Sequence, residues 1–425
     1  MKPDPRSKQE SLYDSVITQN ISLDANLNEV VRLLVALGTA LHQMGQAAHK
    51  VERTLVQVAE RFQVPLQAFI LPTGHFLSIH RAEGPITFVL RMKPSAVDLD
   101  RLSQIMLVAD RLIDGSMTPV AGEAKIAKIM QSAIPRGFLP TVAAYTLSAA
   151  PFSVFFGGGW QELIVSTCVG LAVGILAFVM ERYRRAGRPF ELIAAAAAAF
   201  IAGSADEIFG AYGGWIPLAA GLVVLLPGIA LVDSLEELAN GQLTAGASRL
   251  ANVGTVFLAL TLGSVTGYQL AEIWPKIRDV EPAHLPEWFL LPALLIVAVG
   301  SLLRFRARAS DFSIILCASI VALVGSRFGK TYVGELAGPF LAATLLGIAG
   351  NLYARFSRRA AELVIVPGIA LLVPGSIGYR SLEAFLSQDT DHGVDSAFQM
   401  FLVGIALVAG LLFSNSLLGE RNAAS

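Results

Sequence analysis

From residue 138 onward the chain resolves into ten apolar segments, each close to the roughly 20 residues that a bilayer-spanning helix needs. They run over 138–156, 161–180, 190–209, 215–233, 250–273, 286–303, 310–326, 331–353, 361–385 and 395–414. Backbone groups in hydrocarbon must bond within the segment, so these stretches predict helices and exclude an open sheet. Charged residues make up 15% of the 425 residues and mean hydropathy is +0.59, against roughly 25% charged in soluble domains. An ordinary soluble enzyme and a disordered chain are both ruled out.

The shortage of charge is uneven. Residues 1–137 hold 15 Lys/Arg and 13 Asp/Glu, leaving 17 and 20 for the other two thirds. The chain therefore reads as two objects. Residues 1–25 predict a disordered tail without the apolar core of a signal peptide. Residues 26–137 predict a cytosolic α+β domain. Apolar spacing makes Asn26 to about Phe62 helical with a break near Gly45, followed by short strands at Gln67–Pro72, Phe76–His80 and Pro85–Met92. Ser95 is placed to cap a helix over Val97–Ile113, and a further helix should start near Pro119. The two membrane halves are expected at 138–275 and 286–415.

Charge orients the bundle. With the first domain in the cytoplasm, inner loops carry Arg182, Arg184, Arg185, Arg188, Arg249, Arg304, Arg306, Arg308, Arg355, Arg358, Arg359 and Arg421. Outer loops carry only Lys276, Arg278, Arg327 and Lys330. Every inner loop obeys the positive-inside rule, which predicts a multi-pass inner-membrane protein with both termini cytoplasmic.

The fourth and ninth segments repeat one another. LLPGIALVDSLEEL (225–238) and LVPGSIGYRSLEAF (372–385) share Pro-Gly-x5-Ser-Leu-Glu at an offset of 147, while PGIAL at 227–231 and 367–371 gives a second register at 140. Five helices plus five is the simplest division, and an odd number per half makes the repeats inverted. Matching Pro/Gly interruptions in inverted halves point to a transporter's substrate site. Pro227, Gly228, Pro374 and Gly375 are accordingly candidate site residues; a plain packing kink is the bland alternative. Ionisable groups within segments are candidates on energetic grounds. Asp233 and Arg380 are mates of opposite charge in the 147 register, suited to an amine or proton and to a carboxylate respectively. Asp206, Glu207, Ser204 and Asn351 join them, with Asn252 and Glu383 as weaker candidates. Glu191, Asp311, Glu335 and Glu362 start helices, where an acid suits the dipole.

Other motifs fall away. GSRFGKT (325–331) has three residues between its glycines and does not join a strand to a helix, so it is not a P-loop. Cys168 and Cys317 lie in apolar runs, and no spacing suggests a metal, a cofactor or catalysis. Near-neutral charge gives no sign of nucleic-acid binding. Small-residue spacings would permit a homo-oligomer.

The order of these features resembles the threonine/serine exporter family. GQAAHKVERTLVQVAERF (45–62) is similar to that family's Gly-x-x-x-(His/Tyr)-(Arg/Lys)-Val-Glu signature, FFGGGWQELIVSTCVG (155–170) to its glycine-rich lead-in to the second helix, and the two Pro-Gly pairs to its interrupted helices. Some relatives divide the architecture between two polypeptides and export dicarboxylates such as succinate; here the halves are fused. The resemblance implies proton-driven export of a small amino acid or carboxylate by alternating access, with the fourth and ninth segments lining the site and the third and eighth nearby. A succinate-type exporter, a channel gated by the first domain and a membrane-anchored hydrolase are the alternatives. Within the signature, a local His49–Glu52 pair is the simplest expectation.

Overall fold

A computed structural model describes residues 25–92, 97–132, 137–182, 189–209, 215–272, 285–386 and 389–418; side chains 206–209, 382–383 and 385–386 lie outside this description. Of the tail expected at 1–25, only Ala25 is described, and Ser95 lies outside.

The N-terminal unit contains α1 (Ala25–Gln43), α2 (Ala48–Arg61), β1 (Leu66–Leu71), β2 (Gly74–Ile79), β3 (Ile86–Arg91), α3 (Leu99–Ile113) and α4 (Pro119–Gln131). The break expected near Gly45 separates α1 from α2. Gly45 has φ +83°, and a Cβ there would lie 2.9 Å from Val97 Cγ2, so the turn requires glycine. Asp98 caps α3 by accepting from Arg101 N–H at 3.1 Å, and Thr118 caps α4 with Pro119 in its first turn. The strands form an antiparallel meander, β1-β2-β3. Its inner face presents Ile70, Leu77, Ile79 and Phe88 to a core shared with α1, α2 and α3.

A histidine pair sits at this core, with His75 buried and His42 half-buried. His75 Nε2 lies 3.1 Å from His42 Nδ1, and His42 Nε2 lies 3.1 Å from Pro72 O. Burial, reinforced by His42, pushes His75 down to about 3. An unfolded histidine titrates near 6.5, so below that pH the unfolded chain holds a proton the folded one refuses. This contribution to stability is complete above pH 6.5 and declines as pH falls toward 3, by up to about 1.4 kcal/mol per unit. Melting curves of the full chain should show this decline, and His75→Gln should flatten it; equal slopes in both proteins would contradict it.

The remainder is a helical bundle. Its first half comprises α5 (Phe138–Phe155), α6 (Trp160–Arg182), α7 (Pro189–Phe209), α8 (Trp215–Gly221), α9 (Gly228–Ala239) and α10 (Leu243–Ala271). Its second comprises α11 (Leu290–Arg304), α12 (Phe312–Tyr332), α13 (Ala337–Ser357), α14 (Glu362–Leu372), α15 (Gly375–Leu386) and α16 (Thr390–Leu418). Among the described residues, eight spans are long and apolar enough to cross a membrane, and Pro189–Ala205 is a shorter apolar helix. With the broken pair α8/α9, ten crossings result. The expected start of the eighth at 331 moves to 337, because α12 continues through Lys330.

Packing repeats between the halves. α5–α6, α6–α7, α6–α8, α7–α10 and α9–α10 contacts are matched by α11–α12, α12–α13, α12–α14, α13–α16 and α15–α16. Small residues permit the third-to-fifth contact in both: Gly263 and Gly267 face Leu192 O and Ala196 O, and Gly410 faces Phe340 O. The halves join through α5–α11 and through the exchange of α9 with α16 and α10 with α15. The glycine-rich lead-in is structural: Gly157 adopts φ +83° and Glu162 accepts from Gly159 N–H at 2.7 Å, starting α6.

Candidate substrate site

Each half contains one interrupted helix, and proline is the local cause. Pro227 cannot donate a helical N–H, so α8 unwinds through 222–227 before α9 begins. Pro374 pushes Val373 into extended backbone (φ −64°, ψ 133°), ending α14 before α15 begins. The two breaks cross. A Cβ added to Gly228 would lie 1.8 Å from Val373 Cγ1 and 3.6 Å from Gly375 N, while one on Gly375 would meet Leu226 at 3.1 Å. This supports the 147 register: α9 and α15 both have 12 residues, whereas Pro367-Gly368 of the 140 register lies inside α14.

A small cavity of about 30 Å³ lies at the crossing, lined by Leu226, Gly228, Val373, Gly375, Ser376 and Arg304 among others. It has room for a water or two. Bonding back along α9 starts with Leu231 N–H to Pro227 O, and along α15 with Gly378 N–H to Pro374 O, so the preceding amides precede the helical ladders. Two half-helix N-termini therefore meet beside one guanidinium, an arrangement suited to an anion. Arg304 donates from Nη2 to Val224 O at 3.0 Å, satisfying a carbonyl released by the first break. The sequence marked Arg304 only as a loop arginine; its position at the end of α11, packed on α5, brings it inward. The remaining lining includes Phe152 and Phe156 of α5. Thus the first and sixth crossings line the cavity, not the third and eighth.

The predicted charges stand at opposite ends of the interrupted helices. Asp233 lies 3.8 Å from Arg249 Nη1, and Arg249 holds Glu237 with two bonds of 2.7 and 3.1 Å. Arg380 is exposed and stacks on Trp215 at 4.8 Å. Asn351 donates to Asn415 at 3.0 Å, joining α13 to α16. Ser204 Oγ is buried in α7 without a hydrogen-bond partner among the described residues. The side chains of Asp206, Glu207 and Glu383 lie outside the described residues. Asn252 is exposed on α10.

The signature motif reaches the same helices. Ala47 gives α2 no side-chain cap, and Glu237 of α9 accepts from Ala48 N–H at 3.2 Å instead. His49 Nε2 lies 3.5 Å from Glu236, and Gln242 donates to Glu52 at 2.9 Å. The expected local His49–Glu52 pair makes no hydrogen bond among the described residues; each side chain instead contacts the bundle, while His49 still acts electrostatically on Glu52. Lys50 and Gln46 each reach Glu362 of α14 at 3.2 Å. Burial pulls the Lys50 ammonium down, but Glu362 and Glu236 beside it more than offset this and hold it above the usual lysine range. Glu362 is therefore more than a helix-starting acid. Residues 46–50 straddle α9 and α14, the pair on either side of the crossing. No sequence pattern pairs Lys50 with a residue 312 positions away.

A second seam joins α3 to the α11–α12 turn: Leu99 N–H donates to Phe305 O at 2.9 Å, Arg306 lies 3.9 Å from Asp98, and Arg308 lies 2.5 Å from Asp100.

Comparison with known proteins places this architecture. The family model ThrE, a threonine/serine exporter description, matches residues 32–271, and a second model, described as "Threonine/Serine exporter, ThrE", matches 289–417. A threonine/serine exporter of Corynebacterium glutamicum is 24% identical over 328 residues, covering 74% of this chain and 66% of the relative. Pheromone-regulated membrane protein 10 of Zygosaccharomyces rouxii is 24% identical over 393 residues, covering 89% of this chain and 39% of its own length. Its namesake in Saccharomyces cerevisiae is 24% identical over 396 residues, covering 89% and 50%. The chain thus spans half or less of these yeast relatives. No solved structure matches it. With one family model covering more than half of its residues and a second covering most of the remainder, the chain belongs to the threonine/serine exporter family.

Proposed function

We propose that this chain is a secondary active transporter, not an enzyme, which exports threonine, serine or a related small carboxylate across the inner membrane at the crossing of its two interrupted helices. The observation carrying this reading is the packing of Gly228 onto Val373 and Gly375 around a cavity that contains Arg304. Arg304 and the amides beginning α9 and α15 bind the substrate carboxylate. At about 30 Å³ the cavity is too small for an amino acid in this conformation, so substrate enters when the breaks part. In an inverted repeat the two gates are related by symmetry, which suits Asp233 with Arg249 at one end and its mate Arg380 with Trp215 at the other. The positive-inside bias of the arginine-rich loops supports a cytoplasmic Asp233 end, where the N-terminal unit docks. Asp233 is the proposed proton carrier.

Counterflow in proteoliposomes tests this. Radiolabelled threonine or serine, with succinate in a parallel arm, should accumulate against a pH gradient and lose that drive when the gradient is collapsed. Downhill flux indifferent to the gradient would favour a gated channel, and no flux of any of the three would overturn the substrate class.

A further inference from the structure

A second cavity, of about 140 Å³, lies where the N-terminal unit meets the bundle. Its walls come from α2 and α3 on one side and from α13, α14 and α16 on the other. It is several times larger than the central cavity and lies about two helical turns away along the same gate helices: α9 contributes Ile229 to the central cavity and Glu236 to this one, and α14 contributes nearby Ala370 and Ile365 respectively. Between them, Val232, Val364 and Ile369 pack in one apolar cluster. The two spaces are thus separated by apolar packing along the same helices.

The second cavity is lined with charge. Four cations, Lys50, Arg53, Arg358 and Arg359, line it against three acids. Arg359 is held by Asp311, and Lys50 by Glu362. Arg358 stands at a left-handed position, φ 55°, at the end of α13, where glycine or asparagine is usual. Arg358, exposed at the edge of this lining beside carboxylates and amides, suits a small molecule that carries a carboxylate and tolerates an ammonium group.

We propose that this interdomain cavity is a separate binding site for a small carboxylate or amino-acid zwitterion, distinct from the central site and positioned to loosen the gate. The transport reading supplies the choice of probe. The ligand carboxylate takes Arg358 and competes with Glu362 for Lys50. Among the described residues Lys50 and Gln46 are the polar holds on Glu362, so occupancy loosens the polar attachment of α14, leaving the apolar contact of Leu363 with the N-terminal core, while His49 and Ala48 still hold α9. The gate pair then separates.

Titration calorimetry on the full chain in lipid nanodiscs, with L-threonine and succinate as probes in separate runs, distinguishes the sites. At least one probe should show two binding events per chain. Gln57→Trp, which fills the cavity from α2 without touching the latch, should remove one event, and Arg358→Ala should weaken that same event at least tenfold. Arg304→Ala should remove the other. A single event that depends on Arg304 and ignores both interdomain variants would overturn the proposal while leaving the transport reading intact. An event sensitive to Gln57→Trp with no Arg304-dependent partner would support the proposal and count against the central site. No heat with either probe would overturn it, as would inorganic phosphate displacing the probe from the Gln57→Trp-sensitive site at equal concentration, since the site would then be a general anion sink.

Discussion

Replacing Arg304 with glutamine should leave a folded protein that no longer exports. Arg304 has two tasks that the substitution separates. A glutamine amide can still donate to Val224 O, satisfying the carbonyl exposed by the first break, but it brings no charge to the crossing. Losing one partner of a buried charge-assisted contact costs about 2–5 kcal/mol in comparable pairs, so transport should fall at least about 30-fold. Arg304→Ala removes both tasks and should lower thermal stability as well. Arg304→Lys keeps the charge without the planar fork and should retain intermediate activity with a raised KM. Counterflow rates, with melting of each variant as control, check the series. Wild-type rates in Arg304→Gln would remove this residue from the site.

Gly228→Ala is expected to be nearly as damaging, for a steric reason. Its Cβ would lie 1.8 Å from Val373 Cγ1, and no side chain tolerates such an approach. The crossing must open by more than 1 Å, at a typical overpacking cost of 1–3 kcal/mol. Export should drop roughly tenfold or more, since a site widened in every state cannot alternate. The second-site test is specific. Val373→Ala removes the colliding methyl and should restore most of the activity when combined with Gly228→Ala, while doing little alone. Failure of the pair to recover, with both proteins folded, would show that Gly228 matters for something other than this contact.

Much of this was legible in the sequence, and the parts that were not share a physical cause. Segment length and apolarity found the crossings because a bilayer imposes both. The Pro-Gly interruptions at 227–228 and 374–375 were visible because proline acts on its own local backbone. The partners of those breaks were not visible. Arg304 sits 80 residues from Val224, and its role depends on how α11 packs on α5. The sequence pattern read it by its loop, where its charge obeyed the positive-inside rule. Asp233 and Arg380 stood out as charges in apolar stretches, and the fold puts them at opposite ends of the interrupted helices, as inverted repeats imply. Glu362 looked like an ordinary helix-starting acid because its ligands, Gln46 and Lys50, lie more than 300 positions away. Periodicity reports which face of a helix is buried and is silent about what buries it.

The missing cap of α2 has a dynamic consequence. Glu237 serves Ala48 N–H and the Arg249 guanidinium at the same time, one on each side of the interdomain seam. When α9 tilts, a helix start in the N-terminal unit loses its only protein acceptor described here just as an arginine loses its fork. A helix cap is typically worth about 1 kcal/mol. In the proposed transport cycle this coupling would act as a detent: it would set a threshold for leaving the closed position, and about 1.4 kcal/mol of such threshold slows departure tenfold. The N-terminal unit need not bind or convert anything to set the cycle's tempo; the strength with which it seats on one glutamate is enough.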